Sequence, residues 1–449
     1  MNAYIQRVLE ETREKNANEP EFLQTVEEVL TSLEPVVDRH PEYEKMALLE
    51  RMVEPERVIE FRVVWEDDTG KVNVNRGYRV QFNSAIGPYK GGLRFHPSVN
   101  LSMMKFLAFE QTFKNSLTSL PIGGGKGGSD FNPRGRSDAE IMRFCQAFMT
   151  ELYRHIGPDV DVPAGDLGVG AKEIGYLFGQ YKRIRNAYEN GVLTGKGLSF
   201  GGSRIRPEAT GFGAAYYVNE VFEHEHDGYA GKSFALSGFG NVCWGAVTKI
   251  TELGGKVVTI SGPDGYVYDP EGVSTPEKIA YLLEMRDSRR DRAQDYADKF
   301  GVAFFAGQKP WGREVDVVMP CATQNEVTLD DAKRIAEAGV KYYIEVSNMP
   351  TTNEALQYLM SQKGIIVAPS KAVNAGGVSV SALEMSQNSM RYAWEAEDVD
   401  AKLKTIMKNI HEASAKAAEE YGFGYNLVAG ANIAGFLKVA EAMLAQGLV

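Results

Sequence analysis

A strand–turn–helix–strand pattern in the second half of the chain limits its fold more than any other feature. Residues 233–237 form a short apolar stretch, as in a buried strand, and Gly238-Phe-Gly240 follows directly. A helical pattern then runs to about Leu253, and residues 256–261 resemble a second strand. Glycines that follow a strand and open a helix let a pyrophosphate reach the helix N-terminus. The pattern therefore predicts a Rossmann-type, dinucleotide-binding α/β domain.

The same turn indicates which residues contact the dinucleotide. They are Gly238, Gly240, Asn241 and Val242, at the start of the predicted helix. Cys243 replaces the usual third glycine, so the fingerprint is partial. A tight turn in another kind of α/β domain remains the alternative.

Further strands of parallel type are predicted at residues 302–305, 316–319, 342–345 and 365–367. Each of the last three ends in a polar loop that contains an asparagine: Asn325, Asn348 and Asn374. Ligands of open α/β sheets bind at the carboxyl ends of the strands, so these three asparagines are candidate cofactor contacts.

The turn Gly262-Pro-Asp264-Gly265 follows the second strand and is expected to face the adenosine ribose. It offers one carboxylate, and the nearest following cation is Lys278. A ribose 2′-phosphate requires a cation, so NAD is favoured and NADP is the alternative. Asp264 could instead serve only to build the Pro-Asp-Gly turn.

Two glycine-rich stretches in the first half carry lysines. One is Leu120-Pro-Ile-Gly-Gly-Gly-Lys126-Gly-Gly-Ser-Asp130, and the other is Gly87-Pro-Tyr-Lys90-Gly-Gly-Leu-Arg94-Phe. Both are predicted to be loops that wrap a small ligand, since glycine permits close approach. Gly127 stands where a Walker A loop requires a hydroxyl, which excludes that motif. A lysine that loses its hydration there becomes a usable amine; a solvated surface lysine is the alternative.

The predicted helix at residues 101–120 carries a third lysine, Lys114. Gln111 and Lys114 are three residues apart and therefore share a face of this helix. Lys90, Lys114 and Lys126 are expected to converge on one anionic ligand. Downstream, Asp166 stands among glycines before another helical stretch, either as the N-cap of that helix or as a general acid–base group.

Composition narrows the functional class of this 449-residue chain. Single cores stop growing near ~250–300 residues, so two or three domains are expected. A net charge of −11 argues against general nucleic-acid binding. Three widely spaced cysteines suit a reducing, cytoplasmic setting. The acidic N-terminus is no signal peptide, no stretch approaches a membrane span, and no metal-binding motif occurs.

The domain boundary is predicted at the Gly/Ser-rich segment 195–207. We expect residues 1–200 to form a mixed α/β domain for substrate binding and assembly. Residues 201–423 then form the Rossmann-type domain, with the active-site cleft between the two. Residues 424–449 end the chain in an apolar helix.

Taken together, these residues resemble the Glu/Leu/Phe/Val dehydrogenase superfamily over essentially the whole chain. The stretch from Leu120 to Pro133 looks like its active-site signature. The Lys90 stretch and Val378-Ser-Val-Ser381 look like its glutamate-specific members. Relatives that act on leucine, valine or phenylalanine carry apolar residues where this chain has Lys90 and Ser381.

The resemblance implies a role for each matching residue. Lys90 and Ser381 would bind the γ-carboxylate of L-glutamate, and Gln111 and Lys114 its α-carboxylate. Lys126 would be the low-pKa amine, Asp166 the proton shuttle, and the Gly165 carbonyl a holder of ammonium. Thr210 and Asn241 would contact NAD. The set of expected cofactor contacts is completed by Gly238, Gly240, Val242, Asp264, Asn348 and Asn374.

The resemblance also implies a homohexamer that interconverts L-glutamate with 2-oxoglutarate and ammonium, and a C-terminal helix that returns to the first domain. The alternatives are NADP dependence, a Leu/Val/Phe substrate, or a catalytically silent homologue. The last of these is disfavoured because Lys126 and Asp166 are both present.

Overall fold

The computed structural model describes residues 1–288 and 290–449. They form two compact units. Unit 1 consists of residues 1–206, 378–399 and 432–449, and unit 2 of residues 207–377 and 400–431. This division differs from the predicted one because residues 378–399, which include Ser381, belong to unit 1.

Unit 1 is a mixed α/β structure built on a five-stranded sheet. Its strands are β1 (Arg57–Glu66), β2 (Val72–Asn83), β3 (Tyr89–Phe95), β4 (Gly124–Ser129) and β5 (Asp161–Gly165). Its helices are α1 (Ala3–Lys15), α2 (Pro20–Ser32), α3 (Glu34–Arg39), α4 (Glu42–Lys45), α5 (Leu48–Val53), α6 (Leu101–Leu117), α7 (Asp138–Leu152) and α8 (Ala171–Arg185). The strand order is β1-β2-β4-β3-β5. The β1–β2 and β2–β4 pairs are antiparallel, whereas β3 is parallel to both β4 and β5.

Strands β3 and β4 are the two stretches that were predicted to be loops, and that prediction is wrong. Their glycines allow neighbouring elements to approach more closely than any side chain would permit. A Cβ on Gly124 would lie 2.0 Å from Thr112 Oγ1 of α6, and one on Gly128 would lie 2.2 Å from the Arg94 carbonyl oxygen. The lysines of both stretches therefore project from a rigid sheet.

A buried ion pair crosses the same sheet. Arg79 on β2 donates from Nε to Asp161 Oδ2 on β5 at 2.8 Å, and both side chains are fully buried. Since β4 and β3 lie between these strands, the arginine must cross both. A Cβ on Gly127 would lie 3.0 Å from Arg79 Cδ, so glycine leaves the space for this crossing. Residues alternate between faces along a strand, so Lys126 projects from the opposite face.

Unit 2 is built on a seven-stranded sheet. Its strands are β6 (Ser233–Leu236), β7 (Lys256–Gly262), β8 (Gly265–Tyr268), β9 (Ala303–Ala306), β10 (Val317–Met319), β11 (Tyr342–Ile344) and β12 (Ile366–Ala368). Its helices are α9 (Ala209–His224), α10 (Asn241–Glu252), α11 (Pro276–Ser288), α12 (Gln294–Phe300), α13 (Leu329–Glu337), α14 (Asn353–Ser361) and α15 (Ser370–Val373). The order β12-β11-β10-β6-β7-β8-β9 is parallel from β12 to β7.

The last two strands of this sheet depart from the prediction. Strand β9 was expected to be of parallel type, but it pairs antiparallel with β8, which in turn pairs antiparallel with β7. The reason is the tight turn between Gly262 and Gly265, which reverses the chain into a hairpin. The Rossmann-type core is thus extended at one edge by β8, which runs opposite to the other strands, and by β9, which runs in the direction of β7 but has β8 as its partner.

Three long helices complete the chain: α16 (Gly376–Met390), α17 (Ala396–Glu420) and α18 (Leu427–Gln446). Among the described residues, α18 is the one helix long and apolar enough to span a membrane, whereas no stretch of that kind was expected from the sequence. Its apolar residues have partners within unit 1, where Phe436 packs on Tyr43 and the Gly435 carbonyl accepts from Ser116 Oγ at 2.9 Å. Packing within the fold therefore explains its composition.

Candidate functional site

Lys126, Asp166 and Arg94 form a charged group in unit 1, in which Lys126 is buried and the other two are partly exposed. Lys126 Nζ lies 3.2 Å from Asp166 Oδ2, and Arg94 Nε donates to the same oxygen at 2.7 Å. Asp166 is not the N-cap of α8, because that position is Gly170. The carboxylate therefore serves the two cations.

The glycines of β3 make room for this group. A Cβ on Gly92 would lie 2.7 Å from Asp166 Cβ, 2.9 Å from the Gly165 carbonyl oxygen and 3.3 Å from Lys126 Nζ. Three predicted site residues, Gly165, Asp166 and Lys126, are thus brought together around one glycine. Any larger residue at position 92 would displace them.

Burial sets the protonation of these side chains. It lowers the pKa of Lys126, and the charge of Arg94 lowers it further, although Asp166 opposes both effects. Burial raises the pKa of Asp166, but the charges of Lys126 and Arg94 outweigh it and bring this pKa to about 2. The group thus couples a permanent carboxylate to an amine that gives up its proton more readily than usual.

Lys114 and Gln111 lie on α6, as predicted. Burial, followed by the charge of Lys126, lowers the pKa of Lys114 to about 8. Gln111 Nε2 donates to Asn115 Oδ1 at 2.6 Å, and Asn115 Nδ2 donates to the Lys90 carbonyl at 3.1 Å. One hydrogen-bonded chain therefore joins α6 to the strand that carries Lys90.

Lys90 is almost fully buried, and its Nζ donates to Thr194 Oγ1 at 2.7 Å. Burial lowers the pKa of Lys90 well below its ordinary range. Ser381, inside α16, accepts from Arg206 Nε at 3.0 Å. The charge of Arg206 acts on both Lys90 and Lys114, so the predicted convergence of cations gains a fourth member.

Sequence reasoning missed Arg94 as a partner of Asp166, and it missed Thr194 and Arg206 altogether. Arg206 ends the Gly/Ser-rich segment that was interpreted only as a domain boundary. Arg206 was a usable signal, since a link between domains has no need of a cation that is only partly exposed. Nothing local distinguishes Thr194, because its partner lies 104 residues earlier.

In unit 2, the predicted dinucleotide turn connects β6 to α10. Gly238 has φ +79°, a backbone conformation that by itself favours glycine. Gly240, the N-cap of α10, has φ −72°, and a Cβ there would meet no atom within 4 Å. The fold itself does not require glycine at position 240, so the open space beside the helix N-terminus fits a pyrophosphate.

The other residues expected to contact the dinucleotide lie at the starts of two helices. Asn241 and Val242 are the first residues of α10, and Thr210 is the second residue of α9. A Cβ on Gly211 would lie 2.4 Å from the Val242 carbonyl oxygen, so α9 and α10 pack closely. Cys243 is fully buried and does not obstruct the turn.

Asp264 has a different role from the one predicted. Its Oδ1 accepts from Ala293 N at 2.8 Å and its Oδ2 from Gln294 N at 3.1 Å, which caps α12. The sequence predicted a cofactor contact or a turn-building role for Asp264, and this cap is a further role that it did not predict. Lys278 pairs with Asp269, whereas Arg286 donates to Asn241 Oδ1 and is the cation at the helix N-terminus.

The asparagines at the strand ends are only partly grouped. Asn374 Nδ2 donates to Asn348 Oδ1 at 2.9 Å, and Asn374 Oδ1 is buried with no hydrogen-bond donor in the described part of the chain. Asn325 is exposed, and its backbone N–H donates to the Met349 carbonyl at 2.9 Å. A buried acceptor in need of a donor suits the amide or hydroxyl groups of a dinucleotide. The residues of unit 2 thus fit such a cofactor.

Comparison with known proteins agrees with this geometry. Residues 201–447 match the model of the Glutamate/Leucine/Phenylalanine/Valine dehydrogenase family, and residues 55–183 match the Glu/Leu/Phe/Val dehydrogenase, dimerisation domain. The chain is 70% identical over 448 residues to the NAD-specific glutamate dehydrogenase of Clostridium symbiosum, with 100% of each chain covered. It is 55% identical to the NADP-specific glutamate dehydrogenase of Haemophilus influenzae, with 99% of each covered.

A solved structure of a glutamate dehydrogenase superposes with a TM-score of 0.99 at 70% identity and covers 100% of both chains. The family-model matches and these identities extend over both units. The chain therefore belongs to the glutamate/leucine/phenylalanine/valine dehydrogenase family.

Proposed function

We propose that the chain is an NAD-dependent glutamate dehydrogenase, which interconverts L-glutamate and water with 2-oxoglutarate and ammonium. The observation that carries the proposal is the set of buried cations in unit 1, beside one ionised carboxylate. Lys90, Lys114 and Arg206 supply positive charge, and Lys126 is held against Asp166. A dicarboxylic amino acid matches both the charge and the need for proton transfer.

The two ends of the substrate are recognised by different residues. Lys90, Arg206 and Ser381 bind the γ-carboxylate, because two cations and a hydroxyl form charge-assisted hydrogen bonds with it. Gln111 and Lys114 bind the α-carboxylate from α6. A substrate fixed at both ends presents its Cα in one orientation. An apolar side chain would leave Lys90 and Arg206 without a counter-charge, which disfavours leucine, valine and phenylalanine.

Proton transfer falls to Lys126 and Asp166. In the neutral form, Lys126 accepts a proton from the water that attacks the imino carbon of the oxidised substrate. Asp166 exchanges a proton with the substrate nitrogen, and the Gly165 carbonyl accepts a hydrogen bond from the ammonium that forms. The hydrogen bond from Arg94 to Oδ2 favours the ionised form of Asp166, which accepts this proton before returning it.

NAD, when bound, supplies the acceptor for the hydride that leaves Cα. The residues that would hold it are the open turn at Gly240, the adjacent Gly238, Asn241 and Val242, and Thr210. Asn374, with Asn348, would offer the buried acceptor. Asp264 already caps α12, so its contribution to NAD preference is indirect.

Assembly and location complete the proposal. Strand β1 lies at the edge of its sheet and exposes Val58 and Val64, which supports pairing with a second copy. The family model for residues 55–183 is that of a dimerisation domain, and we infer a homohexamer. The three cysteines are free and buried, which suits a cytoplasmic enzyme.

The decisive experiment measures initial rates of L-glutamate oxidation with NAD and NADP side by side. We expect turnover with NAD and at least about tenfold lower kcat/KM with NADP, a difference of ~1.4 kcal/mol. A clear NADP preference would replace the cofactor assignment. Turnover of leucine, valine or phenylalanine above that of glutamate would replace the substrate.

The pH dependence of this assay gives a further prediction. Above about pH 8, Lys114 in the free enzyme loses its charge, and kcat/KM decreases because the α-carboxylate is bound less well. In Lys114→Arg the charge persists, so the alkaline decrease should move to higher pH. An unchanged alkaline limb would contradict the role given to Lys114.

A further inference from the structure

A second buried ion pair in unit 1 takes no part in the chemistry described so far. Lys196 Nζ lies 2.8 Å from Glu384 Oε1, and both side chains have no exposed surface. Such a pair seldom stabilises a fold more than apolar residues of the same volume would. We therefore expect this ion pair to have a role beyond stability.

Glu384 holds the segment around Lys196 through its backbone as well as its side chain. Its Oε2 accepts from Gly195 N at 3.0 Å, and its Oε1 accepts from Lys196 N at 3.4 Å. Lys196 Nζ also donates to Asn388 Oδ1 at 2.9 Å and to the Leu193 carbonyl. One carboxylate thus accepts from three donors on two consecutive residues, Gly195 and Lys196, and fixes them to α16.

The fixed segment carries the hydrogen-bond partner of one group proposed for the γ-carboxylate, and the helix carries another such group. Thr194, between Leu193 and Gly195, accepts from Lys90 Nζ at 2.7 Å. Ser381 precedes Glu384 by three residues on α16, so both lie on one helix face, and it accepts from Arg206 Nε at 3.0 Å. Glu384 is therefore the point at which the supports of Lys90 and Ser381 meet.

Glu384 also balances the charge of the pocket. It is the acid whose charge favours the protonated forms of Lys90, Lys196 and Arg206. Lys196 neutralises Glu384 directly, which prevents the buried carboxylate from repelling a bound one. Lys90 and Arg206 are then left to receive an anion, with Arg79 already neutralised by Asp161.

We propose that Glu384, paired with Lys196, is the positioning residue that determines selection of a substrate with a distal carboxylate. This rests on the function proposed above. The pair aligns Thr194 with Lys90 and Ser381 with Arg206. It also leaves positive charge in the pocket that one substrate carboxylate neutralises.

The test compares L-glutamate with L-norvaline, which has a methyl group in place of the γ-carboxylate. In Glu384→Gln, Lys90 loses the acid that favours its charged form, and the backbone donors lose one acceptor. We expect the KM for glutamate to rise about tenfold, with kcat reduced less than about threefold. The norvaline KM should stay nearly constant, so the glutamate-to-norvaline ratio of kcat/KM decreases.

A pH profile separates this role from a structural one. Lys90 faces Glu384, Lys196, Arg206 and Arg79 with its partner Asp161, and only the Glu384 charge is removed. Lys90 should therefore lose its charge at lower pH in Glu384→Gln, and the resulting decrease in glutamate kcat/KM adds to the one caused by Lys114. The apolar pair Lys196→Met with Glu384→Leu keeps the volume without charge. It should show the same loss of selection even if the single variant proves insoluble.

Lys105 provides the matched control, because it is a buried lysine on α6 that pairs with Glu19 and not with the pocket. Lys105→Met should change stability without changing the glutamate-to-norvaline ratio. An unchanged ratio in both the Glu384 variant and the apolar pair overturns the inference. Absence of glutamate oxidation in the unaltered protein would instead overturn the proposed function, before any variant is compared.

Discussion

The two units build their candidate sites from different materials. In unit 1 the site consists of long charged side chains, buried and tied to one another, such as Lys126 with Asp166 and Arg94. In unit 2 it consists mainly of backbone: a turn, a helix N-terminus and the open space beside Gly240. The first arrangement selects a small ligand by its charges, whereas the second accepts a large ligand by its shape.

Glycine has opposite functions in the two sites. In unit 1, Gly92 and Gly124 make room for other parts of the protein, since an added Cβ would overlap Asp166 or Thr112. In unit 2, Gly240 leaves space that no part of unit 2 fills. Substitution should therefore damage the fold in the first unit and only ligand binding in the second.

The largest effect should follow from removing the amine of the charged site. Lys126→Met keeps the length and apolar stem of the side chain but cannot accept a proton. We expect kcat for glutamate oxidation to fall by about 10³-fold or more, the usual size of a lost acid–base group. Lys105→Met, measured in the same assay, controls for loss of a buried lysine. A kcat within tenfold of the unaltered protein would assign the chemistry to another group.

The next effect should come from the carboxylate-binding end of the same site. Lys90→Leu with Ser381→Val removes two polar partners of the γ-carboxylate. Each charged hydrogen bond contributes ~1.5–3 kcal/mol, so glutamate kcat/KM should decrease by about 10²–10³-fold. Preference should shift towards apolar amino acids, measured as kcat/KM for norvaline and leucine. Retained selectivity for glutamate would contradict the assignment of Lys90 and Ser381.

How far the sequence predicted each site depends on this difference. The turn of unit 2 is local: strand, Gly238, Gly240 and helix are contiguous, so its geometry was predicted correctly. The cap role of Asp264 was not predicted because its partner amides lie 29 and 30 residues away. Strand β9 was predicted, but its antiparallel pairing was not, because its partner β8 was not among the predicted strands.

In unit 1, the sequence identified the candidate reactive side chains but not what holds them. Lys126 and Asp166 stood out among glycines, and the structure joins them. The strands β3 and β4 were mistaken for loops because glycine conceals the alternation by which strands are recognised. Arg206 and Thr194 were missed because their partners, Ser381 and Lys90, lie 175 and 104 residues away along the chain.

A smaller effect should appear at the turn of unit 2. In Gly240→Ala the backbone conformation is accessible to alanine and the new methyl meets no atom within 4 Å. Stability should therefore be unchanged. The KM for NAD should rise about tenfold or more, as expected when a methyl overfills a close contact at ~1–3 kcal/mol. Gly92→Ala is the counterpart in unit 1 and should lower the melting temperature. Equal effects of both substitutions on stability would remove the proposed contrast.

The smallest effect tests whether a carboxylate in unit 2 serves the fold or the ligand. Asp264→Ala removes the cap from α12 and leaves two backbone amides without their acceptor. The loss of a helix cap costs ~1 kcal/mol, so the melting temperature should decrease by a few degrees. The KM for NAD should change less than about twofold, because the carboxylate is already committed to Ala293 and Gln294. Asp264→Asn retains one acceptor and should recover most of the stability. If the alanine variant kept its stability but bound NAD tenfold more weakly, Asp264 would be a ribose ligand. Unit 2 would then select its ligand by charge as well as by shape.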